Sequence, residues 1–268
     1  MISNKLKEDH NLVDMHIHST FSFDGSSTME EYCQKAISMN VNKICFTDHV
    51  DFNTEEKNCG VVKDISIQNF DVEDYLKEIN RLRRKYRGLE ILSGIEFSES
   101  HLFKVEFEHY KEMPFDCIIG SIHHCYNGIF PGALNIGEEQ AKKEYYDLML
   151  NMVKYGGIQT LAHFDFPRRY FDNWDVDDNV IDEIFGVMVE KQIVLEINTS
   201  SIKGNGDEPL PKMSILKRYI EMGGRKAVLG SDAHNVSRLA MGFDQIVKVL
   251  PKEIEIGYFK QRQFVPVN

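Results

Sequence analysis

The sequence predicts one α/β domain spanning residues 1–268, a single TIM-like (βα)₇ barrel with a metal site at the C-terminal ends of its strands. Three observations predict it. Short runs rich in Ile, Val and Leu alternate with amphipathic stretches along the chain. Those runs are almost continuously apolar, as strands buried on both faces of a parallel sheet must be. Most of the ten histidines stand, often beside a carboxylate, where such runs end. In βα barrels that end of the strands carries the chemistry. A doubly wound open sheet is the competing architecture, and it accounts less well for so many histidines at strand ends.

The strands are expected at about 12–18, 43–48, 90–97, 116–123, 158–163, 193–199 and 226–231. Between the first two, Thr28 stands three residues before Glu31, a capping box that opens a helix to about Met39. The helix after Asp71 places acids first and bases last, as the helix dipole favours, and Gly88 closes it. Further helices are expected over about 138–155, 177–191 and 211–222, with Gly156-Gly157 and Gly223-Gly224 as stops. The loops at about 50–70 and 124–137 are long enough to serve as lids or specificity loops.

The formal charge of -11 argues against broad contact with nucleic acid or anionic membrane, which both want a basic face. It leaves room for a small anionic substrate, because a metal cluster supplies local positive charge. Neither a secretory signal nor a membrane-length apolar run is visible, so a cytoplasmic location is expected. The five cysteines form no Cys-x-x-Cys pair, which fits reduced thiols; Cys45 and Cys117, inside apolar runs, read as core residues.

His16 and His18 are two apart on the first strand and share a face, and Asp14 has the same parity, suited to orient a ligand imidazole. Asp232 and His234 repeat the spacing after the last strand, while Glu96, His123 and His163 come from separate strands. Glu96 is the best candidate to bridge two ions. Imidazole and carboxylate without thiolate suit Zn, Fe or Mn in a hydrolytic site rather than a structural zinc. His10, His101, His109 and His124 read as ordinary core or surface residues.

The segments Asp-Met-His16-Ile-His18-Ser, Phe-Ser-Phe-Asp24-Gly, Phe-Thr-Asp48-His49, Gly-Ile-Glu96-Phe, Gly-Ser-Ile-His123 and Gly-Ser-Asp232-Ala-His234 resemble the PHP (polymerase and histidinol phosphatase) family. With His163-Phe-Asp-Phe-Pro-Arg168-Arg169-Tyr and Glu-Ile-Asn198-Thr-Ser200 they look like its monofunctional histidinol-phosphatase branch. Aspartate stands at 24 where other branches often carry histidine, and His163-Phe-Asp stands where His-Pro-Asp is commoner.

The resemblance implies a distorted (βα)₇ barrel, a trinuclear centre, two to three divalent ions (Zn, Fe or Mn), and hydrolysis of L-histidinol phosphate in histidine biosynthesis. One ion would take His16, His18, Glu96 and Asp232, a second Glu96, His123 and His163, a third Asp24, His49 and His234. A hydroxide bridging two ions would attack phosphorus, its pKa drawn toward neutrality. The leaving alkoxide needs a proton donor, for which Asp48, His49 and His234 are the candidates. Arg168, Lys203 and Arg238 lie in loops on the active face and suit phosphate, with Arg168 foremost. Asn198, Ser200 and Ser201 suit the substrate's amine or imidazole, and Phe52 its ring. The partner expected is thus a small phosphorylated molecule, with no nucleic acid and no membrane. The alternative substrate is a nucleotide or another small phosphate monoester. A degenerate, non-catalytic binding domain is a third reading, and the near-complete ligand set speaks against it.

Overall fold

Parallel pairing runs from β1 (Val13–Ile17) to β2 (Lys43–Phe46), β4 (Glu90–Ser98), β5 (Cys117–Ser121), β6 (Thr160–Leu161), β7 (Val194–Asn198) and β8 (Lys226–Gly230). The structure, a computed structural model, describes residues 12–52, 69–125, 137–171, 174–204 and 207–267. A short β3 (His49–Val50) continues the line of β2 along β4 and sets His49 opposite Glu96. The ring closes where the chain after β8 returns to β1. There Ile17 bridges Ala233 in parallel, and His18 N–H donates to the Ala233 carbonyl at 3.0 Å. At its other end β8 pairs with β9 (Glu255–Lys260), which carries antiparallel β10 (Gln263–Pro266). Splitting β8 between β9 and β1 is the distortion of this barrel.

Helices pack outside the ring: α1 (Met29–Ser38), α2 (Val72–Lys85), α3 (Lys104–Lys111), α4 (Glu138–Tyr155), α5 (Asp178–Lys191), α6 (Met213–Glu221) and the short α7 (Phe243–Ile246). The capping box of α1 is made in both directions, Thr28 accepting from Glu31 N–H and Glu31 from Thr28 N–H. Asp71 caps α2 through Asp74 N–H at 3.0 Å. Among the described residues no helix is long and apolar enough to cross a membrane.

The chain builds two cores. Tyr32, Ile79, Leu148, Phe185 and Leu216 lie buried among the apolar side chains of the larger cluster, supplied by sheet and helices alike. Inside the barrel, Val13, Met15, Cys45, Leu92, Cys117, Ile119 and Val228 fill a smaller apolar plug. Burial pushes the Cys45 thiol well up and that of Cys117 to about 12, which makes both inert packing groups, as expected. The plug ends the apolar interior below the strand ends, so the polar side chains above it share one pocket.

Three features depart from the sequence reading. The fifth expected strand shrinks to β6, because His163 adopts a left-handed φ of 23° and ends the extended run. The chain also forms α3 and the β9–β10 hairpin, both too short and mixed in pattern to announce themselves. The loop segments 53–68 and 126–136, where lids were expected, lie outside the described residues.

Ile119→Ala should open a void in the fully buried interior plug. The expected cost is about 2–5 kcal/mol, a fall in Tm on the order of 10 °C for a chain of this size. Thermal unfolding followed by circular dichroism checks it.

Candidate metal centre

The pairing of β1 with β2 slips between Asp14 and Ile17, a bulge-type irregularity that re-aims side chains. His16 and His18 reach the pocket, but Asp14 parts company with them. Its carboxylate accepts from Ser231 N–H and Oγ, from Ala240 N–H and, at 3.3 Å, from the main-chain N–H of His16 rather than its ring, and burial raises its pKa to about 6 against those bonds. The expectation that Asp14 backs an imidazole is thereby corrected, since regular i, i+2 spacing does not survive a bulge.

Glu96, on β4, is the centre of the pocket and only 1% exposed. Its Oε1 lies 2.9 Å from His163 Nε2 and 3.3 Å from His123 Nε2. Its Oε2 lies 3.2 Å from His16 Nε2, 3.4 Å from His18 Nε2 and 3.0 Å from His49 Nδ1. One carboxylate therefore faces two sets of imidazoles. Asp232 Oδ1 adds to the Oε2 set, 3.9 Å from His16 Nε2 and 3.5 Å from His18 Nε2. Across the pocket, Asp24 Oδ2 stands 3.6 Å from His49 Nε2 and 3.1 Å from His234 Nε2.

Burial by itself would raise the pKa of Glu96; the charge of His16, His123 and His49 outweighs it and holds the carboxyl well below its usual range. Asp232 is also held low against its burial, by the charge of His16 and a hydrogen bond with His18. Burial lowers the pKa of His18, and the neighbouring charges of His49 and His234 lower it further. Burial opposes charge on the rings too, but Glu196 and Glu96 hold the pKa of His16 well above its ordinary value, and Glu96 and Asp24 do the same for His49, so without metal the pocket pairs ionised carboxylates with cationic rings while His18 stays neutral.

The outer ring nitrogens are held. His16 Nδ1 pairs with Glu196 Oε1 at 2.6 Å, His18 Nδ1 with Ser22 Oγ at 3.2 Å, His123 Nδ1 with Ser98 Oγ at 2.8 Å and His234 Nδ1 with the Asp232 carbonyl at 3.0 Å. Meanwhile His16 Nε2, His18 Nε2 and His49 Nδ1 are buried without a hydrogen-bond partner. Rings anchored at one nitrogen and orphaned at the other, with the orphan aimed at carboxylates, form a donor set that fits divalent cations.

Several expected site residues point elsewhere. Asp48 accepts from Ser19 N–H and Oγ and from Ser22 N–H and Oγ, at 2.6 to 3.0 Å. It organises the loop that carries His18 and Asp24, and its main-chain carbonyl accepts from Glu96 N–H at 3.2 Å, while its carboxylate faces the serines. Arg168 is turned away: its Nε lies 3.1 Å from Asp165 Oδ2, and its Nη2 donates to the Pro209 carbonyl. The pair occupies a 3₁₀ turn, Phe166–Arg169, where neighbouring side chains diverge by about 120°. It is Arg169 that faces in, with Nη2 3.3 Å from Asp232 Oδ2, a bond to Ser200 Oγ, and its guanidinium 4.9 Å above the Phe166 ring.

Asn198 Nδ2 donates to Glu196 Oε2 at 3.1 Å and to Asp232 Oδ2 at 3.4 Å, so it belongs to the wall of the pocket. Ser200 lies at the rim between Asn198 and Arg169. Arg238 braces that loop through the Ser200 carbonyl at 2.7 Å, and Ser201 Oγ is spent on the Glu208 carbonyl. Lys203 is exposed and its N–H donates to Asp207. Phe52 packs on Phe97 and Phe103 on the outer side of the sheet. His124, read as an ordinary residue, lies buried with Glu99 and Asp51 behind His123. Glu196 was missed altogether; its one sequence signal is an acid in mid-strand, flanked by Leu195 and Ile197.

The fold and pocket define a class: a seven-stranded βα barrel with a candidate metal centre of imidazole and carboxylate at its mouth. The PHP domain family matches residues 14–200, and the chain belongs to that family. A Clostridium acetobutylicum protein named "Probable histidinol-phosphatase" is 32% identical over 88% of this chain and 91% of its own length. A Thermotoga maritima protein of the same name is 26% identical over 90% and 92%. The crystal structure of the Lactococcus lactis histidinol phosphate phosphatase, complexed with zinc, L-histidinol and phosphate, superposes with a TM-score of 0.82. It is 24% identical and covers 95% of this chain and 99% of that one, a likeness of fold.

Asp48→Asn replaces an acceptor of converging N–H and O–H groups with a donor. The metal-free protein is expected to lose about 1–3 kcal/mol of stability, read as a lower Tm. An unchanged Tm would return Asp48 to the list of proton donors.

Proposed function

We propose that this chain is a histidinol-phosphatase, a metal-dependent phosphomonoester hydrolase that converts L-histidinol phosphate to L-histidinol and phosphate. The observation that carries the reading is Glu96, buried with each oxygen facing a different set of imidazoles. His16, His18, Glu96 and Asp232 would hold one ion, Glu96, His123 and His163 a second, and Asp24, His49 and His234 a third, the metals being Zn, Fe or Mn. Divalent cations bound there supply charge for the phosphoryl oxygens and acidify water near neutral pH.

The protein's own groups do the rest. Arg169, stacked on Phe166 at the rim, presents a guanidinium that forks onto phosphate oxygens beside Asp232. In that role it replaces Arg168, which is committed to Asp165 and Pro209. Ser200 and Asn198 fix the direction of the Arg169 side chain from the end of β7. The proton for the leaving alkoxide comes from water reaching the corner formed by Asp24, His49 and His234, which opens to solvent at His234, 32% exposed against 8% for His49. A cytoplasmic location is part of the proposal, supported by the four described cysteines being free thiols.

Arg169→Ala should cut kcat/KM for histidinol phosphate roughly 30-fold or more, about 2 kcal/mol of transition-state stabilisation, whereas Arg168→Ala should act mainly on Tm. Equal kinetic losses in the two variants would undo the assignment. Stripping the protein with a chelator should abolish phosphate release, and zinc, manganese or iron should restore it. Histidinol phosphate should be hydrolysed well ahead of AMP; a preference for AMP would reassign the substrate to a nucleotide.

A further inference from the structure

Of the seven parallel barrel strands, β7 is the one that contributes no candidate ligand, yet it buries a glutamate among the centre's groups. Glu196 is 0% exposed, in a strand buried along its whole length. A carboxylate taken out of water in this way needs full compensation by partners. It has three. Oε1 meets His16 Nδ1 at 2.6 Å; Oε2 accepts from His163 N–H at 2.9 Å and from Asn198 Nδ2 at 3.1 Å.

Resting on the metal-dependent reading above, we propose that Glu196 is the positioning residue of this centre. It fixes the tautomer of His16 with one oxygen and clamps the backbone of His163 with the other. A carboxylate at Nδ1 holds a proton on that nitrogen, so Nε2, which faces Glu96 and Asp232, is the nitrogen that gives up its proton to a metal. His163 carries the left-handed φ of 23°, and strained backbone of this kind persists only where the surroundings over-determine it. The bond from Glu196 to its N–H is such a restraint. Asn198, two residues on, extends the same support to Asp232, another left-handed residue with φ 52°. From one strand, then, two side chains hold ligand positions on β1, after β6 and after β8.

The room for this arrangement is made by Gly230 in β8. A Cβ there would lie 2.1 Å from Glu196 Oε1 and 2.6 Å from His16 Cβ. The neighbouring strand has given up a side chain at the point where the pair passes.

Glu196→Gln separates positioning from mere packing, since it keeps the shape and changes the donors. With its amide oxygen toward His16, the NH₂ meets the N–H of His163 and the NH₂ of Asn198, donor against donor. Turned over, the NH₂ faces His16 Nδ1 and drives the ring proton to Nε2, the nitrogen the centre needs free. The experiment measures zinc affinity of the full chain by competition with a chromophoric chelator, and the His16 tautomer by ¹⁵N NMR in the metal-free protein at a pH high enough for the ring to be neutral. E196Q should weaken zinc about 10- to 100-fold and shift the His16 nitrogen signals away from the Nδ1–H pattern. E196D, which keeps the charge but draws back by one methylene, should fall between it and wild type.

E196Q protein with wild-type zinc affinity and an unchanged His16 tautomer overturns the proposal. If E196Q does not fold, E196D and N198A decide. Each should lose zinc affinity, and wild-type affinity in both overturns it. A wild-type chain that takes up no zinc but shows His16 with the proton on Nδ1 would count against the metal-dependent reading and leave the orienting role of Glu196 standing.

Discussion

Everything in this barrel's mouth depends on keeping one carboxylate, that of Glu96, ionised and out of water. Burial opposes the charge, and the nearby imidazoles outweigh it. Five rings approach its two oxygens from β1, β3 and the ends of β5 and β6. No single helix or hairpin could bring them together; a closed ring of parallel strands does so because every strand ends at the same rim. The closure between Ile17 and Ala233 is therefore part of the site, since it draws the start of the Asp232–His234 segment against His16 and His18.

Convergence alone would leave the rings free to turn. They are held from outside by a second layer of oxygen: Glu196, Ser22, Ser98 and a main-chain carbonyl. The same layer extends into the loops, where Asp48 gathers Ser19 and Ser22. Ser22 is shared, giving its hydroxyl to Asp48 while also meeting His18 Nδ1 and His49 N–H. Backbone strain belongs to this layer too. The left-handed residues Glu99, His163 and Asp232 follow the strands β4, β6 and β8, and each turns the chain inward where a regular strand would run on.

The parts legible in the sequence were those governed by a simple period or a local rule. Continuous apolar runs gave the strands, because a strand covered on both faces tolerates little else. Thr28 with Glu31, and Asp71 with its following acids, marked helix starts that depend only on nearest neighbours. His16, His18, Glu96 and Asp232 could be gathered because all stand at strand ends, and strand ends meet. What escaped depended on geometry that no period encodes. Asp14 was misjudged because the β1 bulge breaks the alternation, and Arg168 was preferred to Arg169 because a 3₁₀ turn, invisible in the sequence, decides which of two adjacent arginines faces in. Phe52 was placed in the pocket on proximity in sequence, whereas its ring belongs to the outer core.

Glu196 is the instructive omission. An acid inside a buried strand violates the apolar pattern that identified the strand, and such violations are where a fold gives up stability for function. Its neighbour across the barrel wall, Gly230, breaks the same pattern in the opposite sense, by having no side chain at all. Each residue taken singly looks like an imperfection of its strand. Placed side by side they explain one another: the missing Cβ leaves the volume that the carboxylate and the His16 ring occupy. A search for paired exceptions of this kind, one residue too polar and one too small on adjacent strands, would have found the support of the centre without any histidine to mark it.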